Sequence, residues 1–123
     1  MEQGSGDLDS VRKRLAAFVA ARDWDQFHTP KNLVMALVAE TGELVEHFQW
    51  LTPVESAGVA NDEHKADRVS DELADVLIYL VRLADVLGID LLAAAARKVA
   101  ENALRYPPER SYGSAEKAPP LGS

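Results

Sequence analysis

The sequence predicts an all-α protein: an antiparallel four-helix bundle with loosely ordered termini. Three observations carry this. Apolar residues recur at helical spacing in long segments, and no run alternates as a half-buried strand does. Thr, Asp, Pro and Gly stand where helices start and stop. The connections are short, which favours antiparallel neighbours.

The first helix, about 9–22, sets Leu8, Val11, Leu15, Phe18 and Val19 on one side. DWDQFHTP then forms an aromatic-bearing connection. The second helix, about 30–51, has Thr29 as N-cap and Pro30 at its first position, with Thr52-Pro53 as its expected end. VESAGVANDEHKA is polar, and a mobile linker is expected there. The third helix, about 67–87, stops at Gly88. Asp90 caps the fourth, about 91–105, which Pro107 and Pro108 terminate. One helical domain is expected over 8–106, between a flexible tail, 1–7, and a Pro-rich tail, 107–123.

A chain of 123 residues is long enough to bury a core. With 13 basic against 20 acidic residues, its net charge of -7 disfavours a nucleic-acid polymer as partner. A small phosphorylated ligand stays open, because a divalent cation inverts the local field. There is no cysteine, so thiolate chemistry is excluded. MEQGSGDLDS lacks the pattern of a signal peptide, and no apolar run, Val76 to Val81 included, is long enough to span a membrane. A cytoplasmic protein with no membrane partner is expected.

The second helix contains an anomaly. On a helical wheel centred on Glu40, Leu33, Ala36, Leu37, Leu44 and Leu51 fall within about 60°. Glu43 and His47 share that sector, whereas Glu46 lies outside it. In the third helix Glu72 and Asp75 fall among Val76, Tyr79, Leu83, Val86 and Leu87. Two carboxylate pairs at a spacing of three therefore face inward on two long helices. Clustered carboxylates half out of water repel and lose hydration, so some take up protons or a cation binds. Oxygen ligands suit Mg²⁺, with Mn²⁺ as a substitute. A lone pair of this kind is commonly ion-paired on a surface; two inward pairs favour metal. Iron is disfavoured, because neither pair continues as Glu-x-x-His.

Lys98, Asn102 and Arg105 share one face of the fourth helix, a cradle for polyphosphate or simply a solvated stripe. Trp24, Phe27, Trp50 and Tyr79 are aromatics able to stack a base or fill the core. Trp24 and Phe27 stand out because Asp25, Gln26 and His28 surround them. Gly42, inside a helix, suggests close approach of a partner helix or ligand, or mere tolerance.

E-x-x-E, the later E-x-x-D and K-x-x-x-N-x-x-R-Y-P together resemble the MazG-like all-α nucleoside triphosphate pyrophosphatases. RDWDQFHTPKNL, GELVEHFQW and DELADVLIYLVRLA look most like the dCTP pyrophosphatase branch. The resemblance implies a Mg²⁺-dependent enzyme that cleaves a deoxynucleoside triphosphate to the monophosphate and pyrophosphate. It implies Glu40, Glu43, Glu72 and Asp75 as metal ligands; on the charges alone, one of these carboxylates could double as general base, and Glu43 is the one chosen. Trp24 to His28, Trp50 and Tyr79 would line the nucleotide pocket, and Lys98, Asn102 and Arg105 would face the phosphates. It also implies a homotetramer. The branch carries a nucleotide-contacting histidine where this chain has Leu15. Two other functions stay open at this point: a pyrophosphatase acting on dUTP or a damaged nucleotide, and a non-catalytic helical oligomerisation module.

Overall fold

The computed structural model describes residues 6–122, so most of the expected N-terminal tail lies outside the described residues. Every regular element among them is helical: α1 (Leu8–Ala21), α2 (Pro30–Glu46), α3 (Pro53–Ala57), α4 (Glu63–Leu87), α5 (Leu91–Arg105) and α6 (Pro108–Ser111). Single 3₁₀ turns occupy Asp25–Phe27 and Val59–Asn61. The chain divides into two compact units at the Gly88–Ile89 bond.

In the first unit α4 is the spine, packing against α2, α1 and the second 3₁₀ turn. Leu33, 1% exposed, is the most deeply buried large side chain, and Val19, Val59, Val81 and Ala84 join it in the core. Local chemistry sets the helix ends. Thr29 accepts from the Asn32 amide with Pro30 behind it, and Gly88 closes α4 in the left-handed conformation at φ 70°.

Three boundaries differ from the expectation. α2 ends at Glu46, because residues 47–51 tighten into turns through i→i+3 bonds such as His47 N–H to the Leu44 carbonyl, 3.1 Å. Thr52-Pro53 does not end α2; it opens α3. Thr52 accepts from the Glu55 amide at 3.1 Å while Glu55 accepts from the Thr52 amide at 2.9 Å, a reciprocal capping box. The segment expected to be a mobile linker is thus largely helical, and α4 begins early, at Glu63, where the Asp62 carboxylate accepts from the His64 and Lys65 amides.

In the second unit Asp90 caps α5 by accepting from the Ala93 amide at 3.0 Å. The Pro-rich tail is held there. Arg105 donates to the carbonyls of Ala118 and Pro119 at 2.8 and 3.2 Å, and the Ala118 amide donates to the Tyr106 hydroxyl at 3.1 Å. Its expected looseness gives way to these bonds, which join residues 12 to 14 positions apart.

The core is small, and large apolar side chains stay in water. Met35 and Val38 on α2 are 62% and 64% exposed. No helix among the described residues is long and apolar enough to cross a membrane.

Candidate functional site

The contact of α2 with α4 brings together acids that are 32 residues apart in sequence, Glu40 and Glu72. One carboxylate oxygen each from Glu40, Glu43 and Glu72 lies within 4.8 Å of the others. Glu40 and Glu72 are half-buried, and Glu43 is exposed. Crowding has the expected electrostatic result. Glu40 is raised above the ordinary carboxylate range, first by the Glu72 side chain beside it and then by burial. Glu43 is raised chiefly by Glu40. Asp75, exposed and one turn along α4, is outside this three-carboxylate set, yet its charge helps raise both glutamates.

The set fits a hard divalent cation on an observation independent of the charges. Oε2 of Glu72 is buried and has no hydrogen-bond partner. Such an orphan is costly in a folded protein unless something absent from the chain satisfies it. The nearest basic group to its other oxygen is His47, whose Nε2 is 3.8 Å from Oε1. His47 also lines a cavity of about 210 Å³ with Glu46, Leu51, Lys65 and Arg68. Lys65 and Arg68 bring positive charge there that the sequence reading did not single out.

The aromatic connection lies between α1 and α2. Asp23 adopts a left-handed φ of 55°, which aspartate tolerates better than most residues. Its carbonyl and carboxylate accept from Gln26 Nε2 at 3.0 and 3.1 Å. Trp24 meets Phe18 edge-to-face, with centroids 5.7 Å apart, and the Arg22 guanidinium covers the other ring at 3.7 Å. Trp24 and Phe27 are nevertheless exposed. Asp25 and His28 engage Arg82 of α4, a residue the sequence reading passed over. Arg82 Nη2 donates to Asp25 Oδ1 at 2.6 Å, and Nε donates to His28 Nδ1 at 3.1 Å.

The remaining expected residues are distributed as follows. Trp50 follows α2 with 86% of its surface exposed, and Tyr79 is half-buried on α4. Lys98 pairs with Glu101 at 3.1 Å, Asn102 is exposed, and Arg105 grips the tail; all three belong to the second unit. Gly42 has open space around it: a Cβ there meets nothing within 4 Å, so no close approach inside the chain requires the glycine.

The family model of the MazG-like family matches residues 35–119. The chain is 46% identical over 110 residues to dCTP pyrophosphatase 1 of Rattus norvegicus and 44% identical over 110 residues to that of Homo sapiens. Each match covers 89% of this chain, which spans 65% of the length of these curated relatives. A crystal structure of a pyrophosphatase from Archaeoglobus fulgidus superposes with a TM-score of 0.76 and 36% identity, covering 87% of this chain and 98% of that one. The matched span includes all four acids of the two helical pairs, and the chain belongs to the MazG-like family.

Proposed function

We propose that the protein is a nucleoside triphosphate pyrophosphatase that splits a deoxynucleoside triphosphate, dCTP or a modified dCTP, into the monophosphate and pyrophosphate. The observation that carries the proposal is the cluster of Glu40, Glu43 and Glu72 with its unpartnered Glu72 oxygen. Its occurrence in a relative of proteins named dCTP pyrophosphatase 1 supports the substrate class.

Glu40, Glu43, Glu72 and Asp75 would hold Mg²⁺, or Mn²⁺ in its place. When bound, such an ion neutralises phosphate charge and lowers the pKa of a water. The chain's own groups do the rest. Glu43, exposed beside Glu40, is the carboxylate assigned to accept a proton from the attacking water. The oxygen of that water bonds to the α-phosphorus as the bond to the pyrophosphate oxygen breaks. Lys98, Asn102 and Arg105 of α5 are the groups assigned to the phosphates in this scheme. The Ala118 and Pro119 carbonyls are neutral, so the positive charge of Arg105 is not cancelled by them. Trp24, Phe27, Trp50 and Tyr79 line the base, with Asp25, Gln26 and His28 around them.

Self-association into a homotetramer is part of the proposal. Exposed Met35 and Val38 support it, since apolar surface of this kind marks interfaces. A cytoplasmic setting completes it. A second reading, different base preference, is favoured by Leu15 at the position of a nucleotide-contacting histidine.

Incubation with Mg²⁺ and a panel of deoxynucleoside triphosphates tests the proposal. dCTP yields dCMP and pyrophosphate, and Glu72→Gln abolishes the yield while helical circular dichroism is retained. Release of orthophosphate instead, or no product from any triphosphate, overturns the scheme.

A further inference from the structure

Arg82 is 7% exposed, an unusual depth for a guanidinium. All three of its nitrogens are engaged. Besides Asp25 and His28, Nη1 lies 3.5 Å from Asp85 Oδ2, and Oδ1 of Asp85 accepts from Arg12 Nη1 at 3.2 Å. The hub therefore joins α1, the aromatic connection and α4. Its bonds to the connection bridge 54 and 57 residues of sequence. The other bonds of the connection are local: Trp24 N–H to the Val19 carbonyl at 3.0 Å, and Asn32 Nδ2 to the Phe27 carbonyl at 3.1 Å. They shape the connection, but its tie to the helix bearing Glu72 and Asp75 comes from Arg82.

The contacts also define the state of His28. Its Nδ1 accepts a hydrogen bond, so the ring is neutral with its proton on Nε2. Burial and the Arg82 charge act in the same direction, lowering the His28 pKa. An arginine is suited to this task, because its planar fork addresses two partners at fixed angles and a lysine ammonium does not.

We propose that Arg82 is a positioning residue that fixes the Trp24–His28 connection by holding Asp25 and His28, leaving Trp24, Gln26 and Phe27 as the groups that meet the nucleobase. The inference rests on the nucleotide pyrophosphatase reading and revises it, because Asp25 serves the site through Arg82 and not by touching the nucleotide.

Arg82→Lys, Asp25→Asn and the double variant test this together. Asp25 is exposed, so its substitution leaves the fold in place even if the Arg82 variant folds poorly. Each single variant raises KM for the nucleotide about tenfold while kcat stays within about twofold. The double variant is no worse than the worse single, since both remove one tie. In a Trp50→Phe background Trp24 is the sole tryptophan, and each variant makes it more accessible to acrylamide without any nucleotide present. Effects on KM that multiply in the double variant overturn the proposal, because Asp25 then contacts the ligand itself. A lowered melting temperature with unchanged KM and unchanged Trp24 quenching overturns it as well. Failure of the underlying enzyme reading is distinct: the wild-type chain then releases no pyrophosphate, before any variant is made.

Discussion

Glu40 and Glu72 face each other across the contact of α2 with α4, and the Glu72 carboxylate is the largest influence raising the Glu40 pKa. A raised carboxyl favours the protonated folded state, so its stabilising contribution is complete below the ordinary value of 4.5 and is lost as pH climbs through the raised one. A cation needs the same carboxylates deprotonated.

The first prediction follows from that opposition. The metal-free chain loses stability from this cluster as pH rises above about 4.5, while the rise in melting temperature produced by Mg²⁺ grows over the same range. Glu40→Gln flattens the metal-free profile and removes the Mg²⁺ response. Differential scanning fluorimetry with EDTA and with Mg²⁺ at several pH values checks both parts.

His28 gives a profile of opposite sign. Its pKa is depressed from 6.5, by burial first and the Arg82 charge second. The folded state prefers the neutral ring, so this contribution is complete above pH 6.5 and is lost as pH falls through the depressed value. Urea unfolding at about pH 7 and about pH 5 should show a steeper loss for the wild type than for His28→Asn, which keeps an acceptor for Arg82 and cannot titrate.

Met35 and Val38 occupy the exposed side of α2. Val38→Asp is expected to convert an oligomer to a smaller species, read by light scattering coupled to size exclusion, with helical content unchanged. A wild-type chain that is monomeric at micromolar concentration defeats the prediction.

Gly42 lies in α2 with no neighbour at its Cβ position. Gly42→Ala should stabilise the chain by about 1 kcal/mol, the helix-propensity difference between the two residues. Denaturant midpoints measure the gain, and unchanged mass shows that no second chain needs the glycine.

Local signals are legible in this sequence and distant partnerships are not. Thr29-Pro30, Gly88 and Asp90 act within four residues of themselves, and all three occupy the helix ends they announce. Thr52 and Glu55 carry an equally local capping signal, but the polar segment around them obscures it. Of the four acids that helical period places inward, Glu40 and Glu72 are half-buried, whereas Glu43 and Asp75 are exposed, because a helical wheel does not show where the neighbouring helix ends its cover. Arg82 escapes notice because it resembles any charged residue in LIYLVRLADVL, and its meaning lies in Asp25 and His28, more than fifty residues away. The tail is misjudged for the same reason: prolines suggest looseness, and the Arg105 bonds that hold it are not visible in composition.

The fork of Arg82 has a consequence for how such a protein changes over generations. Under the proposed anchoring by Asp25 and His28, changes between and beside them cost the frame only local contacts, the Trp24–Phe18 ring pair and the Gln26 bonds to Asp23. Trp24, Gln26 and Phe27 then act as an exchangeable cassette. A library randomised at those three positions, with Asp25, His28 and Arg82 kept constant, would sample new base preferences on an unaltered scaffold.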